Sequence, residues 1–245
     1  MQQHKIVSRE EWIVARKALM AGEKELTQAR EALSRQRREL PWVKVDKPYL
    51  FDGPSGKVTL GDLFKGRPQL VVQHIMFAPE WDVACKSCSF WADGYDRMAP
   101  HLAARDTAMA GISRAPLAKL EAFKQRMGWT FDWVSSGDND FNYDYGVTFT
   151  REQMDKGEAQ YNFGTTPPYG DELPGISVFY RDDSGAVFHT YSTFARGLDM
   201  MNAAYHYLDL TPLGRHEEGL PYPMDWVRLR DQYQPAPVQA SCCHG

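Results

Sequence analysis

The stretch LVVQHIMFAPEWDVACKSC, residues 70–88, joins an apolar run to a closely spaced pair of cysteines. Residues 70–76 are largely apolar and follow Arg67-Pro68, a pattern typical of a central strand buried on both faces. A short loop separates this strand from Cys85 and Cys88. The residues after the pair have helical spacing, so the sequence predicts a strand, a loop and a helix that begins near the first cysteine.

The pattern continues beyond this unit as alternating strands and helices. A strand is predicted over 107–112, a helix over 116–127 with Ser113 as its cap, and another strand over 131–134. This alternation indicates a parallel sheet with right-handed crossovers. The turn at Asp182-Asp183-Ser184-Gly185 then predicts a hairpin, so the sheet is expected to end antiparallel.

The first forty residues predict a separate helical arm. Ser8 and Glu11 form a capping-box pattern, and helical spacing runs to about Glu39, with Gly22 as a point of interruption. The arm is expected to pack on the core or on a second copy of the chain. The predicted organisation is an arm over 1–41, a core domain over 42–233 with an insertion at 138–170, and a flexible tail over 234–245.

Charge and apolar content argue against nucleic-acid-binding and membrane-spanning proteins. The formal net charge is −4, with both signs interspersed, so no large basic field favours nucleic acid as a partner. No run of about 18 apolar residues is present, and the start is polar, so neither a membrane span nor a signal peptide is predicted. A cytoplasmic protein is the expectation.

The spacing of Cys85 and Cys88 is that of a redox-active pair. A helix N-terminus offers unpaired N–H groups and positive potential, which stabilise a thiolate. Cys85 is therefore predicted as the nucleophile, with Lys86 adding positive charge, and Cys88 as the resolving thiol that completes disulfide exchange. The alternative is a soft-metal protein that holds copper, zinc or mercury with the same cysteines, although a full zinc ligand set is not evident and no metal site is predicted.

Segments 79–89 and Phe163-Gly164 resemble a bacterial family described as predicted dithiol-disulfide oxidoreductases, within the thioredoxin-like proteins and related to their peroxiredoxin branch. The resemblance implies a three-layer α/β sandwich with a mixed sheet. It implies exchange with a small-molecule or protein disulfide, or with a peroxide, and a cellular thiol as reductant. Peroxidase activity is less expected. Asp82 stands before Cys85 at the position where peroxiredoxins carry Thr or Ser, and Ala78 stands where they carry Pro.

The resemblance assigns Pro174 to the substrate side of the dithiol, and the sequence next to Cys85 adds Trp81 and Asp82. Pro174 stands where thioredoxins place a cis-proline that exposes backbone groups to an extended substrate. Trp81 is expected at the rim of the dithiol. Asp82 or Glu80, just before Cys85, is expected either to accept a proton from Cys88 during resolution or to cap the following helix. His74, on the apolar strand, is interpreted as a core residue.

Two further predictions concern cofactors and the tail. No Gly-rich phosphate loop follows a strand, so no organic cofactor is expected. The pair Cys242 and Cys243 near the end of the chain could reach the dithiol or bind a soft metal, or could be inert. The helical arm suggests a homodimer.

Overall fold

The computed structural model describes residues 4–233, in two compact units that adjoin in sequence between Trp42 and Val43. The first unit contains one helix, α1 (Arg9–Arg38). Its start has the predicted capping box, in which the Ser8 hydroxyl accepts from the Glu11 N–H and the Glu11 carboxylate accepts from the Ser8 N–H. The helix runs through Gly22 without a break, so the predicted interruption is wrong. None of the helices in residues 4–233 has the length and apolar character needed to cross a membrane.

The second unit is built on a mixed eight-stranded sheet with the order β1-β8-β7-β4-β5-β6-β2-β3. β4, β5 and β6 are parallel to one another, whereas β7 pairs antiparallel with both β4 and β8. The predicted parallel core and antiparallel end are both present. The strands are β1 (Val43–Lys44), β2 (Leu50–Gly53), β3 (Gly56–Thr59), β4 (Gln69–His74), β5 (Thr107–Ser113), β6 (Asp132–Ser135), β7 (Gly175–Arg181) and β8 (Val187–Phe194).

Helices and 3-10 turns connect the strands. The helices are α2 (Lys86–Tyr95), α3 (Ala99–Ala103), α4 (Leu117–Met127), α5 (Phe141–Asp144), α6 (Arg151–Asp155) and α7 (Ala203–Leu208). The 3-10 turns are Asp62–Phe64, Tyr161–Gly164, Ala195–Met201 and Arg230–Gln232. The insertion at 138–170 therefore carries two short helices and one 3-10 turn.

One predicted helix start is wrong. Pro116, and not Ser113, occupies the N-cap of α4. The Ser113 hydroxyl instead donates to the Ile75 carbonyl at 2.6 Å and accepts from the Trp133 indole at 2.9 Å. Ser113 therefore joins neighbouring strands inside the core.

Both faces of the central strands are covered. On one face, Trp133 packs with Leu120 and Phe123 of α4 and with residues of α2. On the other face, Leu70 and Val72 pack with residues of β2, of the Asp62–Phe64 turn and of α5. The second unit is thus a three-layer α/β sandwich.

A β-bulge interrupts the pairing of β7 with β8. Val178 pairs with Tyr191 and Phe179 pairs with His189, so Thr190 is the extra residue. The Thr190 hydroxyl donates to the Val178 carbonyl at 3.1 Å. Directly paired residues share a face of the sheet, so the bulge puts His189 on the same face as Ser192.

Candidate active site

The loop between β4 and α2 is closed by its own backbone. The Cys85 N–H donates to the Met76 carbonyl at 3.0 Å, which brings the end of the loop back to its beginning. The Lys119 ammonium donates to the carbonyls of Pro79 and Trp81, at 2.8 Å each. These bonds hold the first cysteine at the end of the central strand.

Cys85 occupies the N-cap of α2, and Cys88 lies in its first turn. Both are free thiols, but Cys85 is partly exposed whereas Cys88 is only 2% exposed. The hydrogen bond from Cys88 and those from the backbone N–H groups of Cys88 and Ser87 lower the pKa of Cys85 to about 6, against the opposing effect of burial. The predicted helix-start geometry is therefore present.

The second cysteine has the opposite electrostatics. The hydrogen bond with Cys85 and burial raise the pKa of Cys88 well above its ordinary value. Its sulfur also accepts from the Met76 N–H at 3.4 Å, which partly opposes that effect. At neutral pH the pair therefore carries one negative charge on Cys85 and retains the proton on Cys88.

Lys86 does not act as predicted. Its ammonium donates to the Asp225 carbonyl at 2.8 Å and lies over the Tyr222 ring. It is not among the groups that lower the pKa of Cys85. Backbone N–H groups and Cys88, rather than the neighbouring lysine, stabilise the Cys85 thiolate.

Trp81 and Asp82 lie on the loop that leads to the dithiol. The Trp81 side chain is partly buried and packs against the same core cluster as Cys85, a cluster that includes Cys88. Asp82 is exposed. Among the described residues no side chain caps α2, so the interpretation of Asp82 as a helix cap is wrong.

Pro174 lies at the same end of the sheet. The next residue, Gly175, pairs with His74 at the end of the strand that leads to the dithiol loop. All peptide bonds within residues 4–233 are trans, so the expected cis-proline is wrong. The Tyr161 hydroxyl donates to the Pro174 carbonyl at 2.7 Å and accepts from the Ala195 N–H at 2.9 Å. Tyr161 therefore fixes the chain at Pro174.

Sequence reasoning missed Tyr161 and Tyr169, which both belong to the insertion. Desolvation of its hydroxyl, followed by the charges of Cys88 and Cys85, raises the pKa of Tyr169 to about 12. The Tyr169 phenol is therefore within electrostatic reach of both sulfurs. The predicted insertion at 138–170 and the family resemblance at Phe163-Gly164 both pointed to this segment, but no local pattern singled out the tyrosines.

A buried ion pair was also missed. The Arg114 guanidinium donates to Glu172 Oε1 at 2.7 Å, and the Thr148 hydroxyl donates to Glu172 Oε2 at 3.1 Å. The Glu172 side chain is 1% exposed, and burial raises its pKa to about 7 despite both bonds. Glu172 precedes Pro174 by two residues, so this pair anchors the same segment.

His74 is a core residue, as interpreted. It is 1% exposed, and its Nε2 lies 2.9 Å from the Ser177 hydroxyl, while Nδ1 has no hydrogen-bond partner among the described residues. Burial, and then the charge of His189, lower the pKa of His74 to about 3. The ring is therefore neutral at physiological pH.

Metal-ligating side chains form no cluster in the described part of the chain. Across residues 4–233, no three or more His, Cys, Asp or Glu side chains are grouped so that they could hold a metal ion. Cys242 and Cys243 lie outside the described residues, so the predictions about them stay predictions.

The fold is a thioredoxin-like α/β sandwich with an N-terminal helix, as the sequence predicted. Its defining elements are the central strand β4, the helix that starts after Cys85, the parallel strands β5 and β6, and the antiparallel hairpin of β7 and β8. The sequence matches the model of the family "Bacterial protein of unknown function (DUF899)" over residues 1–233. The chain belongs to this family. No curated protein matches it in sequence.

Solved structures similar to this chain include two with peroxiredoxin-type names. Peroxidoxin BcpB from Mycobacterium tuberculosis is 14% identical, with a TM-score of 0.45, and the match covers 67% of this chain and 94% of that chain. Peroxiredoxin Q from Xanthomonas campestris is 18% identical, with a TM-score of 0.42 and coverage of 69% and 96%.

A third similar structure is a putative thiol:disulfide interchange protein DsbE from Chlorobium tepidum. It is 14% identical, with a TM-score of 0.39, and the match covers 67% of this chain and 97% of that chain. At identities this low the likeness concerns the fold, and the chemistry has to be argued from this chain's own residues.

Proposed function

We propose that this protein is a thiol-disulfide oxidoreductase in which Cys85 and Cys88 form the redox-active pair. The observation that supports the proposal is the asymmetry of the two thiols. Cys85 is partly exposed with its pKa lowered to about 6, whereas Cys88 is buried with a raised pKa. Of these two described thiols, only Cys85 is both reachable and ionised at neutral pH, which are the two requirements for an attacking nucleophile.

The first step uses the Cys85 thiolate. It attacks one sulfur of a substrate disulfide, so a bond forms between Cys85 and that sulfur while the substrate's S–S bond breaks. The other substrate sulfur leaves as a thiolate and takes a proton from water. The product is a mixed disulfide on Cys85.

The second step uses Cys88. Once Cys85 is in a mixed disulfide it no longer carries the negative charge that, with its hydrogen bond, raises the pKa of Cys88. The Met76 N–H, 3.4 Å from the Cys88 sulfur, then stabilises a thiolate there. Cys88 loses its proton, attacks the Cys85 sulfur and releases the substrate thiolate. The substrate disulfide has gained two electrons, and the Cys85–Cys88 disulfide is reduced again by a cellular thiol.

The proposed substrate is a small-molecule or protein disulfide rather than a peroxide. Asp82 and Ala78 replace the residues with which peroxiredoxins surround their reactive cysteine, so a peroxide site of that kind has no support here. Trp81, Pro174 and the exposed Asp82 are proposed to contact the substrate. A reducing compartment such as the cytoplasm, which we also propose, would supply the thiol reductant.

The test uses a background in which Cys242 and Cys243 are replaced by serine, so that only the proposed pair remains. Purified protein is mixed with oxidised glutathione or a mixed-disulfide peptide and an excess of dithiothreitol, and disulfide reduction is followed. We expect turnover that Cys85→Ser abolishes, and a stable mixed disulfide with Cys88→Ser, detected by mass spectrometry.

The proposal fails if Cys85→Ser retains turnover, or if Cys88→Ser forms no adduct while its Cys85 is alkylated no faster at pH 7 than a free thiol. It also fails if the protein purifies with stoichiometric copper or zinc on these cysteines and does not cycle between thiol and disulfide.

A further inference from the structure

A cavity of about 610 Å³ lies in the second unit, and its described lining contains neither cysteine. It is bounded by β1, by the segment 143–163 and by the end of β8. Much of the wall is aromatic. The aromatic residues that line it are Tyr49, Tyr143, Tyr145, Phe149, Phe163 and Phe194.

The two lysines of the wall are already neutralised. The Lys44 ammonium lies 2.8 Å from a carboxylate oxygen of Asp46. The Lys47 ammonium lies 2.7 Å from Asp144 and 2.9 Å from Asp140. An anionic ligand would have to compete with these carboxylates for each ammonium group, so the wall does not favour an anion.

One carboxylate of the wall has no cationic partner within the described residues. Glu158 lines the cavity, and its side chain makes no hydrogen bond or ion pair with any other residue in the described range 4–233. With Asp46 and Asp144, the wall has three carboxylates for the two ammonium groups of Lys44 and Lys47. The uncompensated charge at the cavity is therefore negative.

The wall also offers a neutral hydrogen-bond acceptor. His189 Nε2 lies 3.1 Å from the Tyr191 carbonyl and 2.7 Å from the Ser192 hydroxyl. A carbonyl oxygen only accepts, so Nε2 carries the ring proton and Nδ1 keeps a lone pair. Burial lowers the pKa of His189, so the ring stays neutral at physiological pH.

A hydrogen-bonded chain holds this histidine in place. The Ser192 hydroxyl lies 2.9 Å from the Ser177 hydroxyl, which in turn lies 2.9 Å from His74 Nε2. The Tyr145 ring packs edge-on against the His189 ring, with 5.2 Å between centroids. The acceptor is therefore anchored through three strands of the sheet.

We propose that this cavity binds an organic cation, namely a primary or substituted ammonium group on an apolar, preferably aromatic, body. Lys47 and Arg114 already lie over the rings of Tyr49 and Tyr143. The other aromatic residues of the wall, Tyr145, Phe149, Phe163 and Phe194, attract the ligand's cation through their π faces and pack against its apolar body. Glu158 supplies the unpaired negative charge, and an N–H of the ligand can donate to the neutral His189. This site is separate from the dithiol, so the proposal does not depend on the redox function.

The test compares three probes of similar size that differ in charge: phenethylamine, 2-phenylethanol and phenylacetate. Binding to the full-length protein is measured by isothermal titration calorimetry at pH 7.5. We expect the amine to bind at least about fivefold more tightly than the alcohol, as one desolvated cation–π contact implies, and phenylacetate to bind most weakly.

A matched pair of variants assigns the site. Glu158→Gln should weaken amine binding at least about threefold and leave alcohol binding unchanged. The control Glu218→Gln, at an exposed carboxylate outside the cavity lining, should change neither. The proposal is overturned if the amine shows no binding up to about 10 mM, if the alcohol or the carboxylate binds as tightly as the amine, or if Glu158→Gln has no effect.

Discussion

Replacing Cys88 with alanine removes the group that contributes most to the low pKa of Cys85. The hydrogen bond from Cys88 is the largest cause, and the N–H groups of Cys88 and Ser87 contribute less. The pKa of Cys85 should therefore rise from about 6 towards its ordinary value of 9.0. We expect a rise of at least about one pH unit, because the substitution removes the largest of the interactions that lower this pKa.

The thiolate fraction gives the size of the effect. At pH 7 a thiol with a pKa of about 6 is roughly nine-tenths ionised, whereas one with the ordinary value of 9.0 is ionised to about one part in a hundred. The alkylation rate at a single pH falls less steeply, because a thiolate becomes more nucleophilic as its pKa rises, with a Brønsted slope of about 0.4–0.5. The midpoint of the pH profile is therefore the quantity to measure.

The assay follows iodoacetamide modification of Cys85 from pH 4 to 10, in a background without Cys242 and Cys243. Cys88→Ser is the matched control, since its hydroxyl can still donate to the Cys85 thiolate. We expect the midpoint of the serine variant to lie between those of the parent protein and of Cys88→Ala. An alanine midpoint equal to that of the parent would refute the role assigned to Cys88.

Two further predictions concern stability. Glu172→Gln should flatten the dependence of unfolding free energy on pH. In the parent protein, the unfolding free energy should fall by up to about 3 kcal/mol as pH rises from the ordinary pKa of 4.5 to about 7, because the Glu172 carboxyl keeps its proton to higher pH in the folded state. Unfolding free energies from urea titrations that depend equally on pH in both proteins would contradict this. Tyr161→Phe leaves the Pro174 carbonyl and Ala195 N–H without their partner, so urea unfolding should show a loss of about 1–3 kcal/mol. Tyr207→Phe, at a 74% exposed ring, should change stability by less than about 0.5 kcal/mol, and equal losses would contradict the assignment.

Local and periodic signals explain what the sequence predicted well. The capping box at Ser8 needs only residues three apart, and the apolar run of β4 marks a strand covered on both faces. The helix start at Cys85 follows from the same local order of strand, loop and helix. These signals located the central strand and the cysteine pair. The homodimer suggested by the helical arm remains a prediction.

The sequence predictions failed mainly where contacts between residues far apart in the chain determine the local structure. Gly22 costs a helix only about 1 kcal/mol, which the 30-residue α1 tolerates. Ser113 matches a capping pattern, but its hydroxyl bonds to Ile75, just after β4, and to Trp133 of β6. The pair Arg114 and Glu172 joins residues 58 apart in the chain, a contact that no local pattern encodes. Lys86 likewise turns to a backbone carbonyl far along the sequence.

The extra residue Thr190 shifts by one position the alternation of side chains between the two faces of β8. In an uninterrupted strand, residues three apart point to opposite faces, yet His189 and Ser192 meet at 2.7 Å. Removing Thr190 would leave a regular ladder in which His189 still pairs with Phe179 and Phe188 with Tyr180, so no residue before it would change its face of the sheet. The bulge therefore absorbs one residue of strand length without changing the face on which His189 lies, and Thr190 contributes its hydroxyl bond to the Val178 carbonyl and a stronger local twist of β8.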